Sequence, residues 1–400
     1  MNKKFNPYFC LIRLSLAAGI LAGTFCWTGC SPENGEKIPR DVNERKLADH
    51  SLLVYFVADN NLSNYATNNF EKISEAYFSK PDNNRLNLFV YMDNLEGNPR
   101  LYWLDPEYGT NVLKEYPETN SASASTIRDI CATTFRSGKR GKTVNSVIFW
   151  SHGTNWLQAY NPTGNRSFGD DDGYHIDIAD MAKAIEGLSI NNILFDACYM
   201  GSAEVAAEFS AVADVLVGSP CEILSTGFPY HTIIQALCSE KPDMHKVVDR
   251  YHEFYDTQDG IYRAGALTSI DLSGIRNLAN AFGRLKYASF GDNPVQGLSI
   301  LNYDRERTHL FHDIRQFAEL CHEKAVQTVG KELADRYLED FDWAYRGCNV
   351  HTRMTDRFLG IDMRSGCGLT VFVPRPETYP PVCDFYRTLR WYGWCIPDNN

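Results

Sequence analysis

The sequence predicts an α/β protein, a three-layer α/β/α sandwich on a mainly parallel sheet, with a more helical C-terminal part. Three observations predict it. Short, almost wholly apolar runs recur through the first two-thirds of the chain, as strands buried on both faces require. Successive runs lie far enough apart for a crossover helix, and strand–helix–strand alternation gives parallel neighbours with helices on both faces. After residue 271 the pattern changes to longer amphipathic stretches.

The predicted strands are residues 51–57, 86–92, 144–150, 192–195 and 213–219. Helices are expected in the gaps, over 63–79, 123–136, 178–187 and 202–209, several of them preceded by Ser, Asp or Asn suited to N-caps. Further helices are expected over 273–288, 309–324 and 326–338, and a late strand over 368–374 is expected to return to a sheet. The 400 residues allow one large domain and a smaller one, placed at 50–272 and 273–400; the late strand leaves open whether the second part stands alone. In such folds, ligand sites lie at the carboxyl ends of strands.

The N-terminus carries Lys3, Lys4 and Arg13 ahead of an apolar run over 14–25 that is too short to span a bilayer, so residues 1–29 read as an export signal. Trp27-Thr28-Gly29-Cys30 resembles a bacterial lipobox, with Trp27 departing from the usual Leu. Lipidation at Cys30 is therefore expected over a plain signal peptide, with 30–49 as lipidated N-terminus and polar tether. A formal net charge of −11 without a long Lys/Arg run argues against nucleic acid as a partner. Of twelve Cys, Cys10 and Cys26 leave with the signal, and the rest lack zinc spacing, so no metal is expected; disulfide pairing stays open.

Two predicted strands end in chemically unusual residues. One runs into Ser151-His152-Gly153 and the other into Asp196-Ala197-Cys198, with Gly201 and a helix following. A thiol nucleophile needs a His to move a proton and backbone N–H donors for a developing oxyanion. Gly153 leaves room for substrate backbone, the N–H groups of Gly153 and Cys198 would form the oxyanion hole, and the following helix would lower the thiol pKa. Alone, each residue reads as core or structural; the matching contexts favour chemistry.

Ser151-His152-Gly153 and Phe195-Asp196-Ala197-Cys198 resemble the clostripain family of cysteine peptidases, relatives of the caspases, gingipains, legumain and separase. Tyr55-Phe-Val-Ala-Asp-Asn-Asn-Leu62, the stretch from Gly218-Ser219-Pro220 to Gly227-Phe228-Pro229-Tyr230, and Gly368 to Pro374 are similar to further parts of that family. The resemblance implies a caspase-like catalytic domain with Cys198 as nucleophile, His152 as general acid and Gly153 in the oxyanion hole, and no cofactor. It also implies that Asp196 lies beneath the P1 pocket and favours Arg or Lys; the alternative, that Asp196 orients backbone, is weighed equally. Where the family commonly carries an acidic residue, this chain has Thr226, which weakens a basic P1 preference.

Residues 169–173 and His175 offer Ca²⁺ ligands, yet no twelve-residue EF-hand pattern follows, and a solvated turn is favoured over calcium. Arg166 in the same stretch is a candidate processing point. His309 and His312 share a helix face but lack a second ligand cluster. The expected protein is thus a lipid-anchored cysteine endopeptidase of the cell envelope, facing periplasm or exterior, acting on peptides or proteins. Two rivals are a non-catalytic peptide-binding surface lipoprotein and a thiol amidohydrolase acting on a cell-wall peptide.

Overall fold

The computed structural model describes residues 48–79, 85–138, 143–159, 167–305 and 308–397. The export signal, Cys30 with its tether, and Arg166 lie outside the described residues. The strands are, in chain order, β1 (His50–Ala58), β2 (Asn87–Asn94), β3 (Arg100–Asp105), β4 (Gly109–Glu115), β5 (Val144–Trp150), β6 (Phe168–Asp171), β7 (Tyr174–Ile176) and β8 (Asn192–Asp196). There follow β9 (Val215–Gly218), β10 (Ala266–Asp271), β11 (His312–Asp313), β12 (His351–Met354), β13 (Arg357–Phe358), β14 (Ile361–Asp362) and β15 (Thr370–Val371).

Among the described residues, nine strands join one sheet in the order β12-β10-β9-β8-β5-β1-β2-β3-β4. The five central strands, β9 to β2 in that order, run parallel, and antiparallel pairs flank them on both sides. β1 is buried along its whole length, which explains why its sequence is continuously apolar instead of alternating. Its alternate residues serve two cores: Leu53, Tyr55 and Val57 face one, Leu52, Val54 and Phe56 the other.

Helices α1 (Ser63–Phe78), α5 (Tyr230–Leu237) and α6 (Met244–Asp256) cover the second of these faces through Ile73, Ile233, Val247 and Tyr251. On the first lie α2 (Ala124–Gly138), α3 (Ile178–Ile185) and α4 (Ala203–Phe209), backed by α7 (Ile275–Phe290), α8 (Ile314–Val329) and α9 (Lys331–Gly347). The short α10 (Pro380–Tyr386) and α11 (Arg390–Cys395) close that layer, with Trp391 fully buried. A three-layer α/β/α sandwich results, with helices dominating the C-terminal part.

Two expectations change. The 368–374 segment does not enter the main sheet: only Thr370–Val371 is strand, paired with β11. The C-terminal part reaches the main sheet through β12 instead, a four-residue polar strand paired antiparallel with β10. The helix expected from 309 begins only at Ile314, because the Asp313 carboxylate accepts from the N–H groups of Arg315 (3.1 Å) and Gln316 (3.0 Å) and caps it there. His309 and His312 therefore precede the helix and do not share its face. His312 is buried on β11, and burial pushes its pKa down to about 4.

Candidate active site

The β5–β8 ladder pairs Phe149 with Phe195 and Trp150 with Asp196. His152 and Cys198 each stand two residues beyond that last pair, on parallel strands spaced about 4.8 Å apart, so register alone makes the two strand tips neighbours. A Cβ on Gly153 would come within 2.9 Å of the Cys198 carbonyl oxygen and 3.1 Å of Ala197 Cβ. The room that the glycine leaves is thus taken by the Cys198 main chain, and substrate backbone is not its first claimant.

The His152 tip is clipped to the β6–β7 hairpin. Gly153 bridges Phe168, with the Gly169 N–H donating to His152 O (3.0 Å) and the Thr154 N–H to Ser167 O (2.9 Å). That pattern leaves the Gly153 N–H outside the ladder, and among the described residues no acceptor is bonded to it or to the Cys198 N–H.

His152 Nε2 lies 2.7 Å from Asn61 Oδ1, on the loop after β1. An amide oxygen only accepts, so this bond calls for a proton on His152 Nε2. Asn60 shapes the loop: its side chain donates to Val57 O (3.1 Å) and Asp170 O (2.6 Å) and accepts from the Leu62 N–H (2.8 Å). Asn61 was not singled out from the sequence. Its position at the carboxyl end of the central strand, beside two other chemistry-bearing tips, is the signal that would have found it.

Cys198 is half-buried, and its Sγ accepts from the Ile223 N–H at 3.3 Å. Burial pushes the thiol up to about 11; the Ile223 N–H opposes this, while the Glu222 and Asp196 carboxylates add to it. The helix expected after Cys198, α4, starts only at Ala203 and carries the buried Glu204 in its first turn. The intervening residues are tied to the end of β9 by the Tyr199 N–H to Cys221 O (2.8 Å) and the Gly201 N–H to Ser219 O (2.7 Å). Tyr199 takes φ +65°, a left-handed conformation that costs about 1–2 kcal/mol for a side-chain-bearing residue. Gly201 has no room for a Cβ, which would lie 2.8 Å from Ser219 C.

Asp196 is 4% exposed and sits under the 225–230 loop. Its Oδ2 accepts from the Phe228 N–H and the Tyr230 hydroxyl, both at 2.9 Å, and burial pushes its pKa up to about 7. Gly227 lies directly over it, at φ +67°, where a Cβ would be 2.7 Å from Oδ2. Thr226 is exposed, with Oγ1 2.9 Å from the Tyr255 hydroxyl, which itself donates to Gly227 O at 2.6 Å. One of these bonds, from the Phe228 N–H, ties the Asp196 carboxylate to the loop backbone.

The acidic stretch 169–173 covers the end of β6 and the turn into β7. Asp170 Oδ1 accepts from the Gly173 N–H (3.1 Å), and Asp171 and Asp93 both hydrogen-bond Ser121, through its N–H and its hydroxyl respectively. Burial pushes Asp93 up to about 7 and Asp171 up to about 6. His175 Nδ1 bonds Gly169 O. Among the described residues no group of three or more His, Cys, Asp or Glu side chains converges as a metal ion would need.

Residues 54–327 match the family model described as the clostripain family. Clostripain of Hathewaya histolytica is 24% identical over 244 residues, which are 50% of this chain and 44% of that protein, so this chain spans less than half the length of that relative. The X-ray structure of an inactive zymogen C11 protease from Parabacteroides distasonis superposes with a TM-score of 0.72 at 26% identity, over 88% of this chain and 99% of that one. A secreted C11 cysteine protease from Bacteroides thetaiotaomicron, in complex with an irreversible peptide inhibitor, gives 0.72 at 26% identity, over 87% and 99%.

Proposed function

Since this chain belongs to the clostripain family, we propose that it is a cysteine endopeptidase in which Cys198 attacks the scissile carbonyl and His152 carries the proton. The observation that supports this best is the pair of N–H groups, on Gly153 and Cys198, that no acceptor among the described residues bonds, beside a half-buried thiol whose neighbouring strand tip bears an oriented imidazole.

In this reading the Cys198 proton passes to His152 Nδ1 and the sulfur forms a bond to the carbonyl carbon. The oxyanion receives the Gly153 and Cys198 N–H groups, in place before the reaction begins. The C–N bond then breaks, the leaving amine takes the proton from His152, and water hydrolyses the thioester. Asn61 acts through His152, holding the Nε2–H tautomer, and is a positioning residue. With the resting thiol pushed up to about 11, the thiolate forms as substrate engages, helped by the Ile223 N–H. No metal or cofactor takes part.

At P1, the buried Asp196 already accepts two hydrogen bonds through Oδ2 and Thr226 brings no charge. Both support a weak basic preference in place of strict Arg/Lys specificity. The lipobox-like Cys30 supports a lipid anchor and a place in the cell envelope; no helix among the described residues is long and apolar enough to cross a membrane. Arg166 is proposed as the point where the chain is cut for activation.

The test incubates the purified protein, Cys198→Ala and His152→Ala with a peptide library and maps cleavage by mass spectrometry. Cleavage is expected from the wild type alone, with basic P1 residues enriched but not exclusive. Cleavage surviving in either variant would overturn the residue assignment, and exclusively Arg/Lys or wholly unbiased P1 would overturn the reading of Asp196. Intact-mass analysis of membrane-extracted protein reads out a diacylated Cys30 and a cut after Arg166; absence of either removes that part of the proposal.

A further inference from the structure

Residues of α7, α10 and α11 line a cavity of about 320 Å³, at the lower end of the ~300–1,000 Å³ typical of small-molecule sites. Its walls are apolar and aromatic, with Phe282, Val295, Phe317, Phe372 and Tyr386 prominent. One lysine breaks this lining. Lys286 is only 15% exposed, yet its ammonium makes no hydrogen bond among the described residues. The nearest carboxylate oxygen, Asp292 Oδ1, is 3.9 Å away at the solvent side and already accepts from the Tyr287 hydroxyl. The other contact of the ammonium is with the Tyr287 ring, 4.3 Å from its centroid. Burial pushes the Lys286 pKa down, as an under-paired cation requires.

A half-satisfied ammonium in an apolar cavity is an unfavourable arrangement in the empty protein, and it becomes favourable when an anionic group fills the missing coordination. The second cation on the wall, Arg387, is paired with Asp384 at 2.7 Å, so Lys286 is the cation left to meet a ligand. We propose that this cavity is a binding site for a small amphipathic carboxylate, its acyl or aromatic body against Phe282, Phe317 and Phe372 and its carboxylate on Lys286. A neutral ligand of the same body would leave the ammonium as it is, and a cationic one would oppose it. The site involves none of the residues assigned to peptide cleavage, so it stands or falls independently of the peptidase reading.

The test uses isothermal titration calorimetry and thermal shift on the full protein with decanoate, decan-1-ol and decylammonium as probes. Decanoate is expected to bind about tenfold or more tighter than decanol, the usual effect of one charge-assisted hydrogen bond, with decylammonium weakest. In Lys286→Met the decanoate advantage is expected to vanish while decanol affinity is kept; in Val295→Phe, which fills part of the cavity, both are expected to weaken. Equal affinity for decanoate and decanol in the wild type, a preference for decylammonium, or no binding of any probe would overturn the proposal. So would a decanoate preference that survives Lys286→Met. The wild-type head-group series decides the matter even if a variant does not fold.

Discussion

Replacing Asp196 with Asn is expected to flatten the pH dependence of stability and to stabilise the protein above neutral pH. The folded carboxyl is pushed up to about 7 from an ordinary value of 3.8. Below 3.8 the group is protonated in folded and unfolded chains alike and its full stabilising contribution is present. Between 3.8 and about 7 the folded chain keeps a proton that the unfolded chain has released, so stability falls as pH rises, by up to about 1.4 kcal/mol per pH unit. Above about 7 both states are ionised and the loss is complete, about 4 kcal/mol over the whole window. An amide oxygen in the place of Oδ2 retains the bonds from the Phe228 N–H and the Tyr230 hydroxyl. The new NH₂ group, if left unbonded, gives back about 1–3 kcal/mol. Urea unfolding at intervals from pH 5 to 8 on both proteins gives the assay. Asp93, Asp171 and Glu204, whose carboxyls burial also raises, act in both proteins and cancel in the difference. The stability of the variant relative to wild type should climb with pH and level off near pH 8. Parallel curves, or a difference that grows towards acid, would refute the reasoning.

Asn61→Ala removes the acceptor of the His152 Nε2–H bond, so kcat is expected to drop about 10- to 100-fold, the effect of a lost bond of roughly 1–3 kcal/mol. KM and melting temperature should change little; a variant with unaltered kcat and pH–rate profile would remove Asn61 from the mechanism. Gly227→Ala combines φ +67° with a Cβ 2.7 Å from Asp196 Oδ2, and is expected to lower unfolding free energy by about 2–4 kcal/mol. Denaturant titration checks it, and a loss below about 1 kcal/mol would mean that the loop yields without strain.

The five central strands are legible because burial on both faces demands runs such as Leu52-Leu-Val-Tyr-Phe-Val57, which no other context explains as simply. The flanking strands are not. β4 alternates exposed with half-buried residues, and β12 consists of His-Thr-Arg-Met, so neither carries an apolar run. β10, Ala-Leu-Thr-Ser-Ile-Asp, mixes apolar and polar residues and lies where helical periodicity begins, so it too lacks an apolar run. At the site, His152, Gly153, Asp196 and Cys198 stand out because they follow apolar strands abruptly. Asn61 and the Ile223 N–H do not: Asn61 is marked only by its place just after a central strand, and a main-chain donor has no sequence signature of its own. The start of α4 is hidden for a related reason: Gly201 announces a turn but not its length, and the helix begins only at Ala203.

The distance between His152 and Cys198 is set across the β5–β8 ladder by the pairing of Trp150 with Asp196, not by the chain that joins them. Covalent continuity between these strands is therefore dispensable to the geometry of the pair. Two separately expressed pieces, divided anywhere in the excursion that leaves both strands whole, carry the full set of ladder hydrogen bonds and could reassemble the same neighbours. A single residue inserted within β5, by contrast, would slip the pairing of Trp150 with Asp196 and reverse which face of the sheet the following side chains address, although the chain would be unbroken. Tolerance to change along this polypeptide should thus follow hydrogen-bond register, with long insertions harmless in one place and one extra residue ruinous in another.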